Sequence, residues 1–388
     1  MTTVIINAIS VKESGSLVVL QNLLAGMVHL RPQWQWHVAT NSKARARLPD
    51  LQNTTLHVVP DHQVAGWKVR LWYETGLPRL VKQVKGDLLF SQTNYLPVCK
   101  LPCPSLLLVQ HAGHFSAVFK CLIEAQFASL PARISWRLKG CWVKSSIRRA
   151  QGVIVQTTAL AQRIAEQTGV PRERLCVIPH GTGQAALNEH LPQPPVLNKP
   201  VRIGYITKYG VQKNFDVLFA AAARLQSLGI TLVLVLTLDP NAQESQTVLA
   251  LANQHGIAGL IENHGELPAQ EINALYRSLH LFVFPSLCES FGFPMLEAMA
   301  HGLPLLISDI DSNIEVAGKA ARTFAPDDAP ALAALIHKLI EEPAWHLACA
   351  RASQERAAHF TWHKAAAATL ERMDRMLDAS RPQAHCTK

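Results

Sequence analysis

The chain contains 388 residues, of which 48% are hydrophobic and 17% are charged, a balance that excludes an intrinsically disordered protein. Its length predicts two domains of roughly 150 to 200 residues each. Lysine and arginine number 37 against 28 aspartates and glutamates, and this excess favours an anionic partner, whether nucleic acid, a phosphorylated ligand or a membrane surface. No charge-free apolar run reaches the ~18 residues that cross a bilayer, so we expect a soluble or peripheral protein.

Short apolar runs in the first half predict buried strands, separated by helical segments such as Leu17 to Leu30 and Thr158 to Thr168. In chain order the runs are TVIINAI from Thr3, WQWHVAT from Trp34, TLHVV from Thr55, DLLFS from Asp87, SLLLVQ from Ser105, GVIVQ from Gly152 and RLCVIP from Arg174. This alternation is typical of a parallel sheet with helices on both faces.

The loop after the run SLLLVQ lies at the edge where a parallel sheet binds its ligands. Gly15 and Ser16 lie at the turn between the first run and the first helical segment. His111 opens the loop HAGHFS after SLLLVQ and is a candidate for contact with a ligand. His114 in the same loop is the alternative candidate. For each of these residues a plain turn or a polar surface is the alternative interpretation.

A basic segment follows, from Leu130 to Gly152, with six lysines or arginines, two tryptophans and no acidic residue. On a helix this composition gives a basic amphipathic face suited to anionic lipid headgroups or to an anionic acceptor. A solvated helix packed through its tryptophans is the alternative. Nucleic acid is less favoured, because no recognised nucleic-acid-binding motif accompanies the charge.

The cysteines form neither Cys-x-x-Cys pairs nor a regular framework, and no signal peptide precedes them, which predicts reduced thiols in a cytoplasmic protein. A zinc site on Cys99, Cys103 and a nearby histidine is a less favoured alternative. The eight are Cys99, Cys103, Cys121, Cys141, Cys176, Cys288, Cys349 and Cys386.

The second half repeats the α/β plan with the runs VRIGYI from Val201, TLVLVLTL from Thr231, LFVFP from Leu281 and LPLLI from Leu303. Between the halves, residues 188–200 contain four prolines in thirteen positions and predict an extended linker. We therefore expect an α/β protein of two doubly wound Rossmann-like domains, 1–187 and 201–365, that face each other across a ligand-binding cleft.

Two lysines lie between the run VRIGYI and the next helical segment. Lys208 and Lys213 occupy a loop that ends near Asn214, whose side chain we expect to cap the helix. Two cations at this edge of a sheet suit a diphosphate. Solvated lysines are the alternative.

Two glutamates flank a Gly- and Pro-containing turn in CESFGFPMLEAMAHGLP. Glu289 lies in the loop after the strand LFVFP, and Glu297 lies in the first or second turn of a helix that begins near Pro294 and ends before Gly302. The amides of such a helix start favour a phosphate, and Glu297 could accept hydrogen bonds from the hydroxyls of a ribose. Helix charge compensation for Glu297 and a solvated position for Glu289 are the alternatives.

Residues 201–330 resemble the donor-binding domain of the retaining glycosyltransferases of family 4, which have the GT-B fold. The family's Glu-x7-Glu motif matches Glu289 and Glu297, and its Arg-x4-Lys motif matches Lys208 and Lys213 with lysine at the first position. Weaker matches are VIPHGT, similar to the family's PNG segment, and FTWHKAAAATLERM, similar to its closing helix. The resemblance implies that the final helix, 366–388, packs back on the first domain.

The resemblance also implies the roles of these residues. The lysines would hold the diphosphate of a UDP- or GDP-linked sugar, Glu297 the ribose and Glu289 the sugar, with no further cofactor. His111 would contact the transferred sugar, and Gly15 and Ser16 would lie near the donor phosphate and the acceptor. The segment that completes the phosphate site consists of Ser290, Phe291, Gly292, Phe293, Pro294 and Met295.

Asp309 to Asp311 read Asp-Ile-Asp, which resembles the metal-binding motif of another glycosyltransferase class. In family 4 the corresponding loop carries aspartate without a metal, so we expect a metal-independent enzyme. The predicted reaction is retaining transfer of a sugar to a glycan or lipid-linked acceptor in cell-surface polysaccharide or lipopolysaccharide synthesis, at the inner face of the plasma membrane. The alternatives are an epimerase, a phosphorylase or a noncatalytic binder of anionic lipid or polymer.

Overall fold

The structure is a computed structural model that describes residues 1–11, 14–64, 66–127, 129–183, 191–196 and 199–380. The chain forms two compact units. The first comprises residues 1–115, 127–181 and 361–388, and the second comprises 116–126 and 182–360. Parts of the predicted linker 188–200 and the end of the predicted helix 366–388 lie outside the described residues.

The first unit contains a seven-stranded parallel sheet in the order β3-β2-β1-β4-β5-β6-β7. Its strands are β1 Thr3–Asn7, β2 Gln35–Thr40, β3 Thr54–Val58, β4 Leu88–Ser91, β5 Ser105–Leu108, β6 Gly152–Val155 and β7 Leu175–Val177. Its helices are α1 Ser14–Leu30, α2 Ser42–Arg45, α3 Asp61–Val64, α4 Lys68–Leu71, α5 Leu77–Gln83, α7 Leu130–Arg149, α8 Thr158–Thr168 and α16 Trp362–Ser380.

The second unit contains a six-stranded parallel sheet in the order β10-β9-β8-β11-β12-β13. Its strands are β8 Val201–Tyr205, β9 Leu232–Leu236, β10 Ile261–Asn263, β11 Leu281–Phe284, β12 Leu305–Ser308 and β13 Ala321–Phe324. Its helices are α6 Ala117–Gln126, α9 Phe215–Ser227, α10 Gln243–Gln254, α11 Ala269–Arg277, α12 Phe293–Ala300, α13 Asp311–Ala317, α14 Ala329–Glu341 and α15 Pro343–Ala357.

The predicted fold class is confirmed: both units are doubly wound α/β sheets of the Rossmann type. All eleven predicted apolar runs form strands. A central parallel strand covered by helices on both faces is buried throughout, as Leu281–Phe284 is, whereas the predicted edge strand Thr54–Val58 is partly exposed. The sequence missed β10 and β13. Both are short edge strands with partly exposed residues, so neither produces the continuous apolar run that marks a central strand.

Helix α16 returns to the first unit and packs on α1. Its buried face includes Ala366, Leu370 and Met373, and Arg31 at the end of α1 forms a 2.8 Å ion pair with Asp374. Helix α16 thus belongs to the first unit, although it follows the second unit along the chain. Within the described ranges, the helices lack the combination of length and apolar character needed to span a bilayer.

Candidate active site

The centre of the second sheet is the point where its strand order reverses. Strands β8 and β11 pair there in parallel, while the chain leaves β8 toward β9 and leaves β11 toward β12. The loops after such a pair diverge and leave room for a ligand at the carboxyl edge. Lys208 and Lys213 lie in the loop after β8, and Glu289 lies in the loop after β11.

Lys213 and Glu289 form an ion pair across these two loops. The Lys213 Nζ lies 2.7 Å from Glu289 Oε1, and the side chains are only 11% and 13% exposed. Ser286 donates a second hydrogen bond of 2.7 Å to the same oxygen, and the Lys213 ammonium lies 5.3 Å from the centre of the Phe284 ring. These contacts hold both charged groups in one geometry before any ligand arrives.

The backbone around Lys213 is fixed from two sides. The buried Tyr205 hydroxyl donates to the Lys213 carbonyl at 2.8 Å, and Asn214 adopts a left-handed conformation with φ 47°. Asn214 occupies the N-cap position of α9, but the prediction that its side chain caps the helix is wrong. Its Nδ2 instead donates to the carbonyl of Pro326 at 2.7 Å, because the left-handed backbone turns the side chain toward that neighbouring loop.

Lys208 lies in a different environment. Its side chain is 51% exposed and forms a 2.6 Å ion pair with Glu266, itself 52% exposed. Glu266 follows Gly265 in the loop after β10. The carboxylate that contacts Lys208 therefore comes from the loop after an edge strand that the sequence did not predict. An exposed pair of this kind is held weakly, and an incoming anion can compete for Lys208.

Helix α12 begins at the carboxyl edge directly after Glu289. Gly292 is its N-cap residue with φ 83°, a conformation that favours glycine. Phe291 and Met295 are buried, so these two residues can offer a ligand only their backbone. Ser290, Phe293 and Pro294 complete the turn, and Pro294 occupies the first turn of the helix as predicted.

Glu297, one turn into α12, is enclosed by groups that the sequence did not indicate. The Tyr276 hydroxyl donates to Glu297 Oε2 at 3.1 Å, and the Tyr276 ring stacks on His301 with centroids 4.8 Å apart. On the other side, a Cβ at Gly183 would lie 2.2 Å from Glu297 Oε1, so glycine alone leaves room for the carboxylate. Gly183 directly follows the VIPHGT segment, whose weak match to the family's PNG segment was the only feature of the sequence that could have pointed to this glycine.

The carboxyl group of Glu297 is surrounded by protein, although the residue keeps some exposed surface. Burial raises the pKa of Glu297 to about 7, and the hydrogen bond from Tyr276 opposes that rise. Burial of the Tyr276 hydroxyl, with smaller contributions from the charge of Glu297 and the hydrogen bond to it, raises the pKa of Tyr276 well above its usual value. Glu297 thus changes charge near neutral pH, at the position expected to meet ribose hydroxyls.

The corresponding edge of the first sheet carries neutral groups. Asn7 at the end of β1 donates to Ser91 at 3.0 Å, and Thr93 contacts the buried Tyr73 hydroxyl. Gln92 after β4 and Gln156 after β6 are buried, and neither side-chain amide has a hydrogen-bond partner within the described residues. Polar, uncharged side chains therefore follow three strands of this sheet.

His111 and His114 differ in their surroundings. His111 is exposed and accepts a hydrogen bond from the Gly113 amide at 3.2 Å. His114 stacks on Trp136 with ring centroids 4.2 Å apart, and burial, with smaller contributions from His111 and nearby lysines, lowers its pKa to about 4. Gly15 and Ser16 lie in the first turn of α1, half-buried.

The remaining candidates for metal binding are spread through the fold. Asp309 follows β12, and Asp311 is the first residue of α13. Among the described residues, no three metal-ligating side chains come together. No cysteine in the described part of the chain forms a disulfide, including the exposed Cys99 and the partly buried Cys103.

Two family models match the chain. The model for glycosyl transferases group 1 matches residues 188–357, and the model for glycosyltransferase family 4 matches residues 14–182. Together the two ranges span most of the chain.

Curated relatives include two mannosyltransferases. The chain is 32% identical over 112 residues to O-antigen chain mannosyltransferase B of Escherichia coli, an alignment that covers 29% of either chain. It is 29% identical over 249 residues to an MMP alpha-(1->4)-mannosyltransferase of Mycolicibacterium hassiacum, covering 59% of this chain and 58% of the relative. The chain thus spans under a third of the first relative and over half of the second.

Solved structures with the same fold include sucrose-phosphate synthase from Thermosynechococcus elongatus, with a TM-score of 0.70, 17% identity and coverage of 98% of this chain and 100% of the other. HepE from Anabaena, in complex with UDP and glucose, has a TM-score of 0.70 and 17% identity, and the match covers 96% of this chain and 100% of HepE. At this level of identity the likeness concerns the fold.

Proposed function

Because the chain belongs to the group 1 glycosyltransferases of family 4, we propose that it transfers a sugar from a nucleotide-diphosphate sugar to an acceptor hydroxyl with retention of anomeric configuration. The observation that carries the proposal is the fixed Lys213–Glu289 pair at the reversal point of the second sheet, beside Lys208 and the start of α12. The second unit would bind the donor, and the neutral edge of the first unit would bind the acceptor.

Each charged group has a role in this proposal. Lys213, Lys208 and the amides at the start of α12 bind the diphosphate and stabilise the charge that develops on it as the glycosidic bond breaks. The two contacts described for Glu289 both involve Oε1, and in this proposal Oε2 accepts a hydrogen bond from a sugar hydroxyl. Glu297 accepts hydrogen bonds from the ribose.

The leaving diphosphate would take the acceptor proton on the face of the sugar from which it departs, so the new bond forms on that same face. Two lysines and helix amides can neutralise the diphosphate charge, and the proposal therefore includes no metal ion. HepE was solved with UDP, which supports a uridine diphosphate sugar as the first donor to test, with guanosine diphosphate sugars as the second. His111 is proposed to contact the transferred sugar.

We place the reaction in cell-surface polysaccharide or lipopolysaccharide synthesis, at the cytoplasmic face of the plasma membrane. Similarity to an O-antigen mannosyltransferase supports the acceptor class, and described cysteines that form no disulfide suit a reducing compartment. The acceptor would be a glycan or a lipid-linked glycan, and residues 130–150 would contact the membrane.

A thermal-shift screen of nucleotide-diphosphate sugars tests the donor site. A donor at about 100 times its Kd adds roughly 2.7 kcal/mol to the folded state, so wild type should melt several degrees higher. Lys213→Ala should lose that shift, whereas Lys319→Ala, which removes an exposed lysine outside the site, should keep it. If no nucleotide sugar raises the Tm of wild type, the proposal fails.

Product analysis separates the rival reactions. A changed nucleotide sugar formed without acceptor would indicate an epimerase, and release of a sugar phosphate with inorganic phosphate as acceptor would indicate a phosphorylase. A noncatalytic binder would consume no nucleotide sugar, and its binding to lipid or polymer would survive Glu289→Ala and Lys213→Ala.

A further inference from the structure

The first half of α7 exposes apolar side chains to solvent. Leu130, Ile134 and Leu138 are 69%, 49% and 64% exposed, and their spacing of four residues places them in one inclined row on the helix. In the second half of the same helix, Val143 and Ile147 are buried in the first unit. Only the amino-terminal half of α7 therefore carries an uncovered apolar row.

A second helix lies beside α7 and is exposed in the same way. Arg70 of α4 places its guanidinium 4.5 Å from the centre of the Trp142 ring of α7, one turn beyond Leu138. Around Arg70, Trp67 is 74% exposed and Leu71 is 53% exposed. The Arg70–Trp142 contact thus joins α4 to the row of α7 that also carries Leu130, Ile134 and Leu138.

The loop after β4 joins the same surface. The Glu74 carboxylate accepts hydrogen bonds from the amides of Val98 and Cys99 at 2.8 and 3.2 Å, and it also pairs with Arg70 at 3.1 Å. Val98 is exposed. We define the docking surface by the exposed apolar residues Trp67, Leu71, Val98, Leu130, Ile134 and Leu138.

The charge around the docking surface is entirely positive on its two helices. Arg133, Arg137 and Lys139 are exposed on α7, and Lys68 is exposed on α4. Neither α4 nor α7 contains an acidic residue. Half of the large exposed hydrophobic residues of the described chain thus belong to α7, α4 and the loop after β4, and both helices carry exposed lysine or arginine.

We propose that the docking surface binds the surface of an anionic lipid bilayer, with Trp67, Leu71, Ile134 and Leu138 entering the headgroup region. Burial of tryptophan and leucine side chains at that depth lowers the free energy of the bound state, and each nearby lysine or arginine adds attraction to anionic headgroups. A nucleic acid would use the cations but would leave the leucine row exposed to water. A bilayer would contact both the cations and the apolar row, so the surface favours a bilayer over a nucleic acid.

The role of docking rests on the proposed function, because docking would bring the acceptor edge of the first unit to a lipid-linked acceptor in the membrane. Membrane binding itself does not depend on catalysis. Every residue of the docking surface belongs to the first unit, and the donor residues Lys213, Glu289 and Glu297 belong to the second.

Sedimentation with vesicles tests the docking surface without any nucleotide sugar. The full chain should bind vesicles that contain phosphatidylglycerol and should not bind vesicles of phosphatidylcholine alone. We expect Trp67→Ser with Leu71→Ser, and separately Ile134→Ser with Leu138→Ser, to weaken binding at least about tenfold. The matched control is Leu228→Ser, which removes a 62% exposed leucine of the second unit and should leave binding unchanged.

A charge series completes the test. Replacing Arg133, Arg137 and Lys139 by glutamine should weaken binding at least about tenfold at low salt and much less at high salt. Removing the same charge at Arg172, Arg224 and Lys319 is the control and should have little effect. Unchanged Tm values would show that the exposed substitutions leave the fold intact.

Several outcomes would overturn the inference: equal binding to both kinds of vesicle, full binding by the serine variants, or binding to a soluble polyanion with none to vesicles. Failure of the proposed function gives a different result. If Lys213→Ala and wild type both bind vesicles but neither binds a nucleotide sugar, the donor site is wrong and the docking surface stands.

Discussion

The two sheets share one strand order over six strands, yet their carboxyl edges carry different chemistry. The second sheet presents ion pairs, Lys213 with Glu289 and Lys208 with Glu266. The first presents amides and hydroxyls, among them the buried Gln92 and Gln156. A charged edge suits a diphosphate, and a neutral edge suits the hydroxyl groups of a glycan. The fold thus supplies a place for a ligand, while the side chains at that place select which ligand binds.

The largest expected effect comes from breaking the charged edge at its fixed pair. Lys213→Ala should lower kcat/KM by about 100- to 1000-fold, the usual loss when one donor to a developing charge is removed. It also leaves the largely buried Glu289 without its cation, so the Tm should fall. Lys319→Ala provides the control. A kcat/KM within about threefold of wild type would show that the pair is structural only.

Glu297→Gln should separate ligand binding from stability. The pKa of Glu297 is about 7 in the folded chain against an ordinary value of 4.5, so the folded state binds more protons than the unfolded state between those values. Stability therefore falls as pH rises through this window. Glutamine removes that loss, and we expect a Tm about 2 to 4 °C higher than wild type at pH 8.

Donor binding by Glu297→Gln should change in the opposite direction. Glutamine offers one acceptor oxygen instead of two, and we expect donor affinity at pH 8 to fall about tenfold. Wild type should lose affinity as pH drops below about 7, because Glu297 becomes protonated, whereas Glu297→Gln should show a flat profile. Calorimetry across this range provides the check, and a lower Tm together with unchanged affinity would contradict both expectations.

The exposed pair should have smaller effects, which sharpens the contrast with Lys213. Lys208→Ala should weaken donor binding about threefold to tenfold, since Lys208 is a half-exposed charge. Glu266→Gln should strengthen binding of the free nucleoside diphosphate more than binding of the nucleotide sugar, because the free terminal phosphate carries additional negative charge near neutral pH. Inhibition and Michaelis constants measure the two effects, and Glu271→Gln, an exposed glutamate on α11, is the matched control. Equal shifts for product and substrate would contradict the expected discrimination.

The smallest effect is expected at the neutral edge. Gln156→Met keeps the length of the side chain and removes a buried amide that lacks a partner among the described residues, so the Tm should stay within a few degrees of wild type or rise. Donor affinity should not change, whereas the KM for the acceptor should increase several-fold. A loss of donor affinity would break the proposed division between the two edges.

Eleven strands and the main charged groups could be predicted from the sequence alone. Most of these strands are buried and read as continuous apolar runs, and the residues after each run could be assigned to the carboxyl edge. Lys208, Lys213, Glu289 and Glu297 could be named because they follow such runs, and α8 begins and ends at the predicted residues. These features depend on residues that are close along the chain, and the spacing of apolar residues in the sequence shows them directly.

The tertiary structure decided which groups meet. Nothing local indicates that Tyr276 and Gly183 enclose Glu297, that Glu266 pairs with Lys208, or that Arg70 joins α4 to α7, since each of these contacts depends on the strand order or on packing between distant segments. The edge strands β10 and β13 were missed for the related reason that partial exposure weakens their apolar pattern. The pKa of Glu297 likewise follows from burial by residues distant in the sequence, which only the folded chain brings together.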